Sequence, residues 1–472
     1  MKLERIKKLS WKTWVIIVIV ASLISAFGTA YVYSQNSSQT ITIQPASFTE
    51  TASYIIFKVG DTIYAKNGTT GEIEFCGTDA SQIINNAINS LECGAILIKR
   101  GTYEITETIK LKSYIMLKGE GKYATKLIIK GATGKIDGIS IENTSGVRIC
   151  DLWVDCRTYD QCATIAGQNV NNCTIYNCKL ENLDEIFAVY FAGPSNPDVE
   201  NNVLDKNNKM INCEVYGEFT GDVLSWSYQM DSQIVGCEIY GRVALYLGKN
   251  NIFANNIIYG SPNQGIWITG DYYNLNIYGN IFRNLPNGDA IRVTGNVYGL
   301  KVANNLFLDV GGDGGQAIYL GDYCQAEIEN NKFYGTNSQG IVVGCNGKIV
   351  LNGNTFFNCN TLNKEWFNGG AVISIAGNKN LFVVMENNII ESYNLNGVPL
   401  IIDDWNGSPS TWGVFINNVF NTTNPFYGAN HPTLGNNAYT QLSDLIANYL
   451  SQGINYNNIG YNGTSLELLT EG

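Results

Sequence analysis

The stretch that decides the fold is LNIYGNIFRNLPNGDAIRVTGNVYGLKVANNLFLDVGGDGGQAIYLGD, residues 275–322. It holds two copies of a short unit, [NG]-N-x-[IF], as GNIF and NNLF. The unit recurs along the chain, with its second position at Asn256, Asn280, Asn305, Asn331, Asn354, Asn388 and Asn418. A recurring period of this size is typical of a solenoid, in which each repeat is one turn of the chain.

The repeats consist of short strands. Runs such as LKVANN before the asparagine and AIYLGD after a glycine turn alternate with period two, and no repeat has room for a helix between its strands. Strands stacked at roughly 20–25 residues per turn predict a parallel β-helix. The asparagines would then form an internal ladder, with side-chain amides bonded from coil to coil. A β-sandwich, the alternative, predicts no single-residue column.

Cysteines extend the column upstream, at Cys150, Cys178, Cys213 and Cys237. Neighbouring coils lie about 4.8 Å apart, and a disulfide accepts Cα separations of roughly 4.4–6.8 Å. The column cysteines are therefore either bridged or packed as small apolar groups, and we expect packing. Three other pairs are candidate bridges: Cys76–Cys93, Cys156–Cys162 and Cys324–Cys345. An even count of 12 cysteines suits an oxidising compartment.

Residues 1–34 are a targeting segment. Five basic residues precede the uncharged run TWVIIVIVASLISAFGTAYVY, residues 13–33, and about 20 apolar residues span a bilayer as a helix. We expect a transmembrane anchor with the N-terminus inside, and a cleaved signal peptide is the alternative. Both place the remaining chain outside the cytoplasm, at the cell surface or secreted. Several N-x-S/T sequons are consistent with an exported glycoprotein.

The composition limits which classes of partner and metal the protein is expected to bind. The net charge is −11 and no basic cluster follows the N-terminal segment, so we expect no nucleic-acid binding. His431 is the single histidine, which argues against a zinc site of the usual kind.

Residues 35–51 form a Ser/Thr-rich linker. Open coil ends need covers, and amphipathic helices are predicted there at residues 78–92 and 440–452.

The segment GTDASQIINNAINSLECGAILIKRGTYEITETIKLKSYIMLKGEGKYAT, residues 77–125, resembles the opening segment of the pectate-lyase superfamily. The matching elements are TDAS, GAILIKRGTYEI and LKGEG, and the resemblance covers most of residues 52–436, followed by a C-terminal cap or tail at residues 437–472. It implies an all-β, single-stranded right-handed parallel β-helix with an N-terminal capping helix. The superfamily includes lyases, hydrolases, epimerases, viral tailspikes and non-catalytic surface proteins, so the fold alone does not give the function.

Alternation also predicts which side chains face outward. In GIWITG, Ile266 and Ile268 point inward and Trp267 points outward. The same rule predicts a row of outward-facing side chains at Tyr190, Tyr246, Trp267, Arg292 and Tyr319. The row continues to Val342 and Ser374. Aromatic rings in register stack on sugar rings, whereas tyrosine is also common on sheets without a ligand. We expect the four aromatic residues to bind a polysaccharide or another glycan.

Acidic residues flank this row. Asp289, in NGDAIRV, and Asp313, in GGDGGQAIYL, lie on turns that lead into it, and their separation along the chain is close to one coil. If they stack, the carboxylates lie within roughly 5–8 Å of each other. The GGDGG segment itself is predicted to be a corner, because a strand and not a helix follows it.

Paired carboxylates allow two chemistries. In a glycosidase one is the acid and the other the base or nucleophile. In a lyase, Asp289 and Asp313 would hold Ca²⁺ against an acidic sugar while a basic side chain removes a proton. Arg292 is the nearest candidate base, and the resemblance to β-helix lyases implies that role. The alternative is that each aspartate caps backbone N–H groups at a glycine-rich turn.

Polygalacturonase-type hydrolases carry an N-T-D, a D-D and a G-H-G, and Asp289 resembles one of their aspartates, but no G-H-G occurs in this chain. The histidine of that motif would fall at Gln316, so their activity is not expected here. A net charge of −11 also repels polyanions unless cations bridge them. The sequence therefore predicts an extracytoplasmic polysaccharide-binding protein and leaves open whether it also degrades the polysaccharide as a lyase or glycosidase, and the alternative is a non-catalytic surface, adhesion or structural protein.

Overall fold

The computed structural model describes residues 52–130, 136–156, 163–182, 187–217, 221–261, 264–312, 314–362, 371–377, 380–392, 398–404, 412–422, 427–431, 435–439, 452–456, 458–461 and 466–468. From Gly94 onward these residues form parallel strands stacked coil upon coil. Each coil has three faces, and the predicted parallel β-helix is confirmed.

Face 1 carries the first strand of each coil. Its strands are Ile109–Lys110, Ile139–Ser140, Ile165–Gly167, Val189–Phe191, Asp222–Trp226, Arg242–Lys249, Ile266–Tyr273, Ile291–Thr294, Ile318–Glu329, Ile341–Asn352, Ala371–Gly377, Val398–Asp404 and Tyr427–His431, and the antiparallel Gly435–Tyr439 ends the stack. Short strands follow at the corner in the early coils: Thr144–Ser145, Val170–Asn171, Asp205–Lys206 and Gln229–Met230.

Face 2 follows after that corner. Its strands are Gly94–Ile98, Ile115–Lys118, Arg148–Cys150, Thr174–Tyr176, Lys209–Ile211, Gln233–Val235, Ile252–Ala254, Asn276–Tyr278, Asn296–Ala303, Leu381–Glu386, Trp412–Ile416 and Gln452–Tyr456. The long strands Ile318–Glu329 and Ile341–Asn352 run from face 1 onto face 2 without interruption.

Face 3 closes each coil. Its strands are Gly101–Ile105, Thr125–Ile129, Trp153–Asp155, Lys179–Asn182, Glu214–Gly217, Glu238–Tyr240, Ile257–Tyr259, Ile281–Leu285, Leu306–Val310, Lys332–Tyr334, Thr355–Phe357, Ile389–Ser392, Val419–Thr422 and Ile459–Tyr461, with Leu466–Leu468 antiparallel to the last. Inside this face the rings of Phe282, Phe307, Phe333 and Phe356 stack at 4.5–4.9 Å between centroids.

The N-terminal end is covered as predicted. The helix Ala80–Asn89 begins at Asp79, whose carboxylate accepts from the N–H groups of Ser81 and Gln82. Asn85 donates to the Thr108 carbonyl and accepts from the Lys110 N–H, so the helix pairs groups at the first edge of face 1. Before it lie the antiparallel strands Tyr54–Val59, Thr62–Asn67 and Ile73–Gly77. The second predicted cap, residues 440–452, lies almost entirely outside the described residues.

The asparagine ladder is present at the turn between faces 2 and 3. Asn305 donates through Nδ2 to the Ile277 carbonyl at 2.9 Å and to Asn331 Oδ1 at 3.0 Å, and its backbone N–H donates to the same Oδ1 at 2.9 Å. The pattern repeats at every predicted ladder position from Asn256 and ends at Asn458. Sequence reasoning missed Asn458 because Gly460 stands where the motif has isoleucine or phenylalanine.

The first position of the motif has a separate cause. The residue before each ladder asparagine from Asn256 to Asn418 adopts a left-handed backbone, for example φ +56° at Asn304 and +66° at Gly279. Glycine and asparagine tolerate this conformation better than other residues, which explains the [NG] alternation.

The structure confirms the upstream cysteines of the column except Cys150. Cys237 donates its backbone N–H to Asn256 Oδ1 at 2.8 Å, and Cys213 donates its own to Cys237 Sγ at 3.4 Å. Burial raises the pKa of Cys178 and Cys237, so these thiols stay protonated and packed. Cys150 was wrongly placed: it pairs with Tyr176, so Leu152 occupies the column in that coil.

Two of the three predicted disulfides are wrong. Cys76 and Cys93 are exposed free thiols, and Cys324 and Cys345 are buried free thiols. Cys156 is disulfide-bonded, and Cys162, its predicted partner, lies outside the described residues. The targeting segment, residues 1–34, and the linker, residues 35–51, also lie outside them. Within the part of the chain that the structure describes, no helix is long and apolar enough to cross a membrane.

A second polar network lies inside the corner between faces 1 and 2. Asn208 donates to Gln229 Oε1 at 2.8 Å, and Asn251 donates to the Gln229 carbonyl at 2.7 Å and to the Tyr272 hydroxyl at 2.6 Å. Asp205, buried beside Gln229, belongs to the same corner. Burial raises the pKa of Asp205 to about 6, although the donors of Val170 and Gln229 act to lower it.

We predict that Asn331→Ala lowers the free energy of unfolding by about 2–4 kcal/mol, because it strands the Asn305 N–H and the Val302 carbonyl in a dry interior. Urea denaturation of the full chain measures the change. Asn330→Gly is the matched control in the same turn: Asn330 is exposed and has φ +53°, which glycine adopts freely. If both variants lowered the free energy of unfolding equally, the hydrogen bonds of the asparagine ladder would not be the source of the stability.

We predict that Asp205→Asn raises the free energy of unfolding above pH 7 by about 1–3 kcal/mol and has little effect at pH 4. The folded-state pKa lies above the unfolded value, so the stability contributed by the neutral carboxyl is complete below about pH 4 and is lost as the pH rises through about 6. Denaturation midpoints measured across this range test it. Asp231→Asn, at an exposed site, is the control, and identical pH profiles for both variants would overturn the assignment.

Candidate functional site

The register of face 1 places three predicted site residues in consecutive coils. Trp267 pairs with Arg292, and Arg292 pairs with Tyr319. All three side chains are half-buried and point outward. We call Trp267, Arg292 and Tyr319 the central row.

Hydrogen bonds and ring contacts hold the central row in place. Trp267 Nε1 donates to Thr294 Oγ1 at 2.7 Å, which fixes the indole ring. The Arg292 guanidinium carbon lies 5.0 Å from the centroid of the Tyr319 ring, within cation–π distance. Burial raises the pKa of Tyr319, while the charge of Arg292 lowers it.

Asp289 orients the arginine. Its Oδ2 accepts from Arg292 Nη1 at 2.9 Å, and its Oδ1 accepts from the Gln316 N–H at 2.7 Å. The carboxylate is 1% exposed. Burial raises its pKa, whereas the Gln316 N–H and the Arg292 charge lower it. Both oxygens are therefore engaged by groups of the protein itself.

A second arginine, which sequence reasoning missed, flanks the row. Arg242 begins the strand one coil before Trp267, and its guanidinium carbon lies 5.1 Å from the Trp267 ring centroid. Its Nε donates to Asp222, and its Nη1 donates to Gln264 Oε1 at 3.0 Å.

Tyr246 does not belong to the same column. It pairs with Thr269, whereas Ala244 pairs with Trp267. Its ring meets that of Tyr228 edge-on, at 5.1 Å between centroids. Both Ala244 and Tyr246 satisfy the alternation, so the pattern alone selected the wrong one.

Tyr190 belongs to the column but lies apart from the central row. It pairs with Ser225, Ser225 pairs with Ala244 in the next coil, and Ala244 pairs with Trp267. Two small residues therefore separate Tyr190 from Trp267. Its ring stacks on Phe187 at 4.7 Å. Beyond Tyr319 the column continues to Val342 and Ser374, but both are buried, so the exposed row ends at Tyr319.

The expected stacking of Asp289 on Asp313 does not follow from the register. Ile291 pairs with Ile318, and the Ala290 N–H donates to the Gln316 carbonyl, so Gln316 stands one coil after Asp289. Asp313 lies outside the described residues. The GGDGG corner is confirmed on either side of it, where Gly312 and Gly315 form an antiparallel bridge. A Cβ on Gly315 would lie 2.4 Å from the Gly288 carbonyl carbon, so the coil contact requires glycine there.

The Ca²⁺ site predicted at Asp289 and Asp313 stays a prediction. Among the residues that the structure describes, no group of three or more His, Cys, Asp or Glu side chains could hold a metal ion.

Two other surfaces carry polar or aromatic side chains. A shallow groove of about 520 Å³ lies on face 2 beside Lys301, Glu327 and Lys348. Lys301 pairs with Glu329 at 2.9 Å. On face 3, three tyrosines occupy consecutive coils: Tyr216, Tyr240 and Tyr259.

Comparison with known proteins identifies the class of fold. Residues 203–314 match a family model described as a right handed beta helix region. The surface adhesin PfbA of Streptococcus pneumoniae has a similar structure, with a TM-score of 0.55 and 15% identity over 70% of this chain and 90% of that chain. No curated protein matches the sequence. The protein is a right-handed parallel β-helix, and its resemblance to pectate-lyase-like proteins is confirmed for the fold.

Two further similar structures are enzymes. The A-module of the mannuronan C-5 epimerase AlgE6 of Azotobacter vinelandii has a TM-score of 0.49 and 16% identity, over 81% of this chain and 95% of that chain. The DFA-IIIase of Arthrobacter chlorophenolicus A6, solved in complex with GF2, has a TM-score of 0.47 and 10% identity, over 72% of this chain and 90% of that chain.

We predict that Arg292→Leu lowers the free energy of unfolding by about 2–4 kcal/mol near pH 8, because Asp289 loses its partner while buried. Arg283→Leu is the matched control: its guanidinium carbon also lies near a tyrosine, 5.2 Å from the Tyr259 centroid, but its side chain is exposed and makes no ion pair among the described residues.

The loss should shrink at pH 5. Without Arg292 the pKa of Asp289 rises further, so the buried carboxyl takes up a proton in acid. Thermal or chemical unfolding at the two pH values measures this. A loss independent of pH, or equal in Arg283→Leu, would contradict the pairing described.

Proposed function

We propose that this protein binds a glycan chain, most simply a polysaccharide, along face 1 at the central row. The observation that carries the proposal is the register: an indole, a guanidinium and a phenol occupy three consecutive coils and are partly exposed. The similarity to known structures extends to the fold alone, so the support comes from this surface.

The central row suits sugar rings physically. A sugar ring has an apolar face that packs on an aromatic ring and hydroxyl groups at its rim that need hydrogen-bond partners. Trp267 and Tyr319 supply the rings on either side of the Arg292 donors. Thr294 and Asp289 fix the indole and the guanidinium before any ligand arrives, which lowers the entropy lost on binding.

Binding is better supported than cleavage. Arg292, the candidate base for a lyase, donates to Asp289, and Asp289, the candidate acid, is buried with both oxygens engaged. A general base must lie within hydrogen-bond distance of the proton that it removes. Among the described residues, no observation favours a reaction at Asp289 or Arg292. The proposal is therefore a binding protein displayed outside the cytoplasm, for which the uncharged run at residues 13–33 is the support.

We predict that Trp267→Ala and Tyr319→Ala each weaken binding to the preferred polysaccharide by about 10-fold or more, because each removes a stacking ring at the centre of the row. A panel of immobilised polysaccharides, tested with the full-length chain, measures affinity. Phe357→Ala is the matched control, since Phe357 is an aromatic residue of face 3 with 40% exposure. The products are checked for new reducing ends and for unsaturated sugars, which would reveal an enzyme.

Three results would decide the proposal. Binding lost in both variants and kept in Phe357→Ala supports it. Equal binding by all variants would place the ligand elsewhere, and absence of binding to any glycan would leave a surface or structural protein of the alternative kind.

A further inference from the structure

The charges around the central row define which glycan it accepts, provided that the row binds a glycan as proposed above. Arg242 and Arg292 are the two cations beside the aromatic rings. Each already pairs with an aspartate of the protein: Arg242 with Asp222, and Arg292 with Asp289.

These pairs leave little positive charge for a ligand. The side chains of Arg242 and Asp222 are 18% and 15% exposed, and Asp289 is 1% exposed, so each carboxylate lies in a medium that screens poorly. The guanidinium donors that Asp289 does not use keep their hydrogen-bonding capacity while their charge is compensated. Such donors suit hydroxyl groups.

Two further carboxylates lie farther along the same strands. Asp271 is half-buried on the strand that carries Trp267, and Asp322 is exposed on the strand that carries Tyr319, where its charge raises the pKa of that tyrosine. Asp271 accepts from Asn296, and within the described part of the chain neither carboxylate makes an ion pair with a basic side chain. Each guanidinium group beside the row is therefore paired with one carboxylate, and two further carboxylates on the same strands have no basic partner among the described residues.

We infer that the central row selects an uncharged, hydroxyl-rich glycan and rejects acidic polysaccharides. A polysaccharide with uronate or sulfate groups that binds across the row contacts arginines whose charge is already neutralised by aspartates. Farther along the same strands it approaches two aspartates that have no basic partner among the described residues. The net charge of −11 on the whole chain adds a long-range repulsion of the same sign. Stacking on Trp267 and Tyr319, by contrast, needs no charge on the sugar.

Matched pairs of polysaccharides test this directly. The full-length chain is titrated against galactan and polygalacturonate, mannan and mannuronan, and dextran and carboxymethyl dextran, at low and high salt, each with Ca²⁺ or with a chelator. We expect at least one neutral member to bind, with an affinity that salt and chelator do not change. Its acidic counterpart should bind at least about tenfold more weakly at low salt.

Charge variants provide the second arm. Asp271→Asn combined with Asp322→Asn should strengthen binding to the acidic member at low salt and leave binding to the neutral member unchanged. Asparagine tolerates the left-handed backbone of Asp322, where φ is +55°. Glu391→Gln, a carboxylate of face 3, is the control and should alter neither.

The outcomes separate this inference from the proposed function. Equal or tighter binding of an acidic member, with or without Ca²⁺, would overturn the inference, and glycan binding at the row would stand if Trp267→Ala still abolished it. Binding to no member of any pair would overturn both.

Discussion

The structure depends on one hydrogen-bonded column, the asparagine ladder at the turn between faces 2 and 3. Each ladder asparagine pairs a backbone carbonyl and a backbone N–H that would otherwise be buried without partners, as Asn305 does for Ile277 and Asn280. Leaving such groups unpaired in an apolar interior is costly. The ladder therefore fixes the same turn at the same place in the coils from Asn256 to Asn458. Because strands then stack in register, side chains that point outward from one coil lie beside those of the next.

The central row is a consequence of that stacking. Trp267, Arg292 and Tyr319 meet only because three coils are aligned, and no one repeat contains the surface. Two polar groups beside the row, Thr294 and Asp289, then fix the orientation of its side chains. Hydrogen-bonded polar groups hold one geometry well, so the indole and the guanidinium are oriented before a ligand binds. This preorganisation, together with the compensated charges, links the repetitive fold to selective binding of an uncharged glycan.

The sequence predicted the ladder well and the face-1 registers less well, for one physical reason. The ladder turn is tightly constrained, so its asparagines recur with recognisable neighbours, whereas the connection from face 3 back to face 1 varies in length. The segment between the ladder asparagine and the row residue lengthens from the coil of Trp267 to that of Arg292 and again to that of Tyr319. Assuming coils of equal length therefore matched Asp289 with Asp313, although Gln316 is its neighbour. Tyr246 failed similarly, since alternation gives the face of a strand but not its position along it.

Arg242 and Asp222 were missed because their importance arises from contacts with another coil, which no local pattern records.

The most direct test of glycan binding at the central row is a crystal structure of the full chain with a bound neutral oligosaccharide that the panel identifies. We expect sugar rings stacked on Trp267 and Tyr319, with hydroxyl groups bonded to Arg292. A sugar found instead in the face-2 groove beside Lys301 and Lys348, or on the face-3 tyrosines, would contradict this expectation.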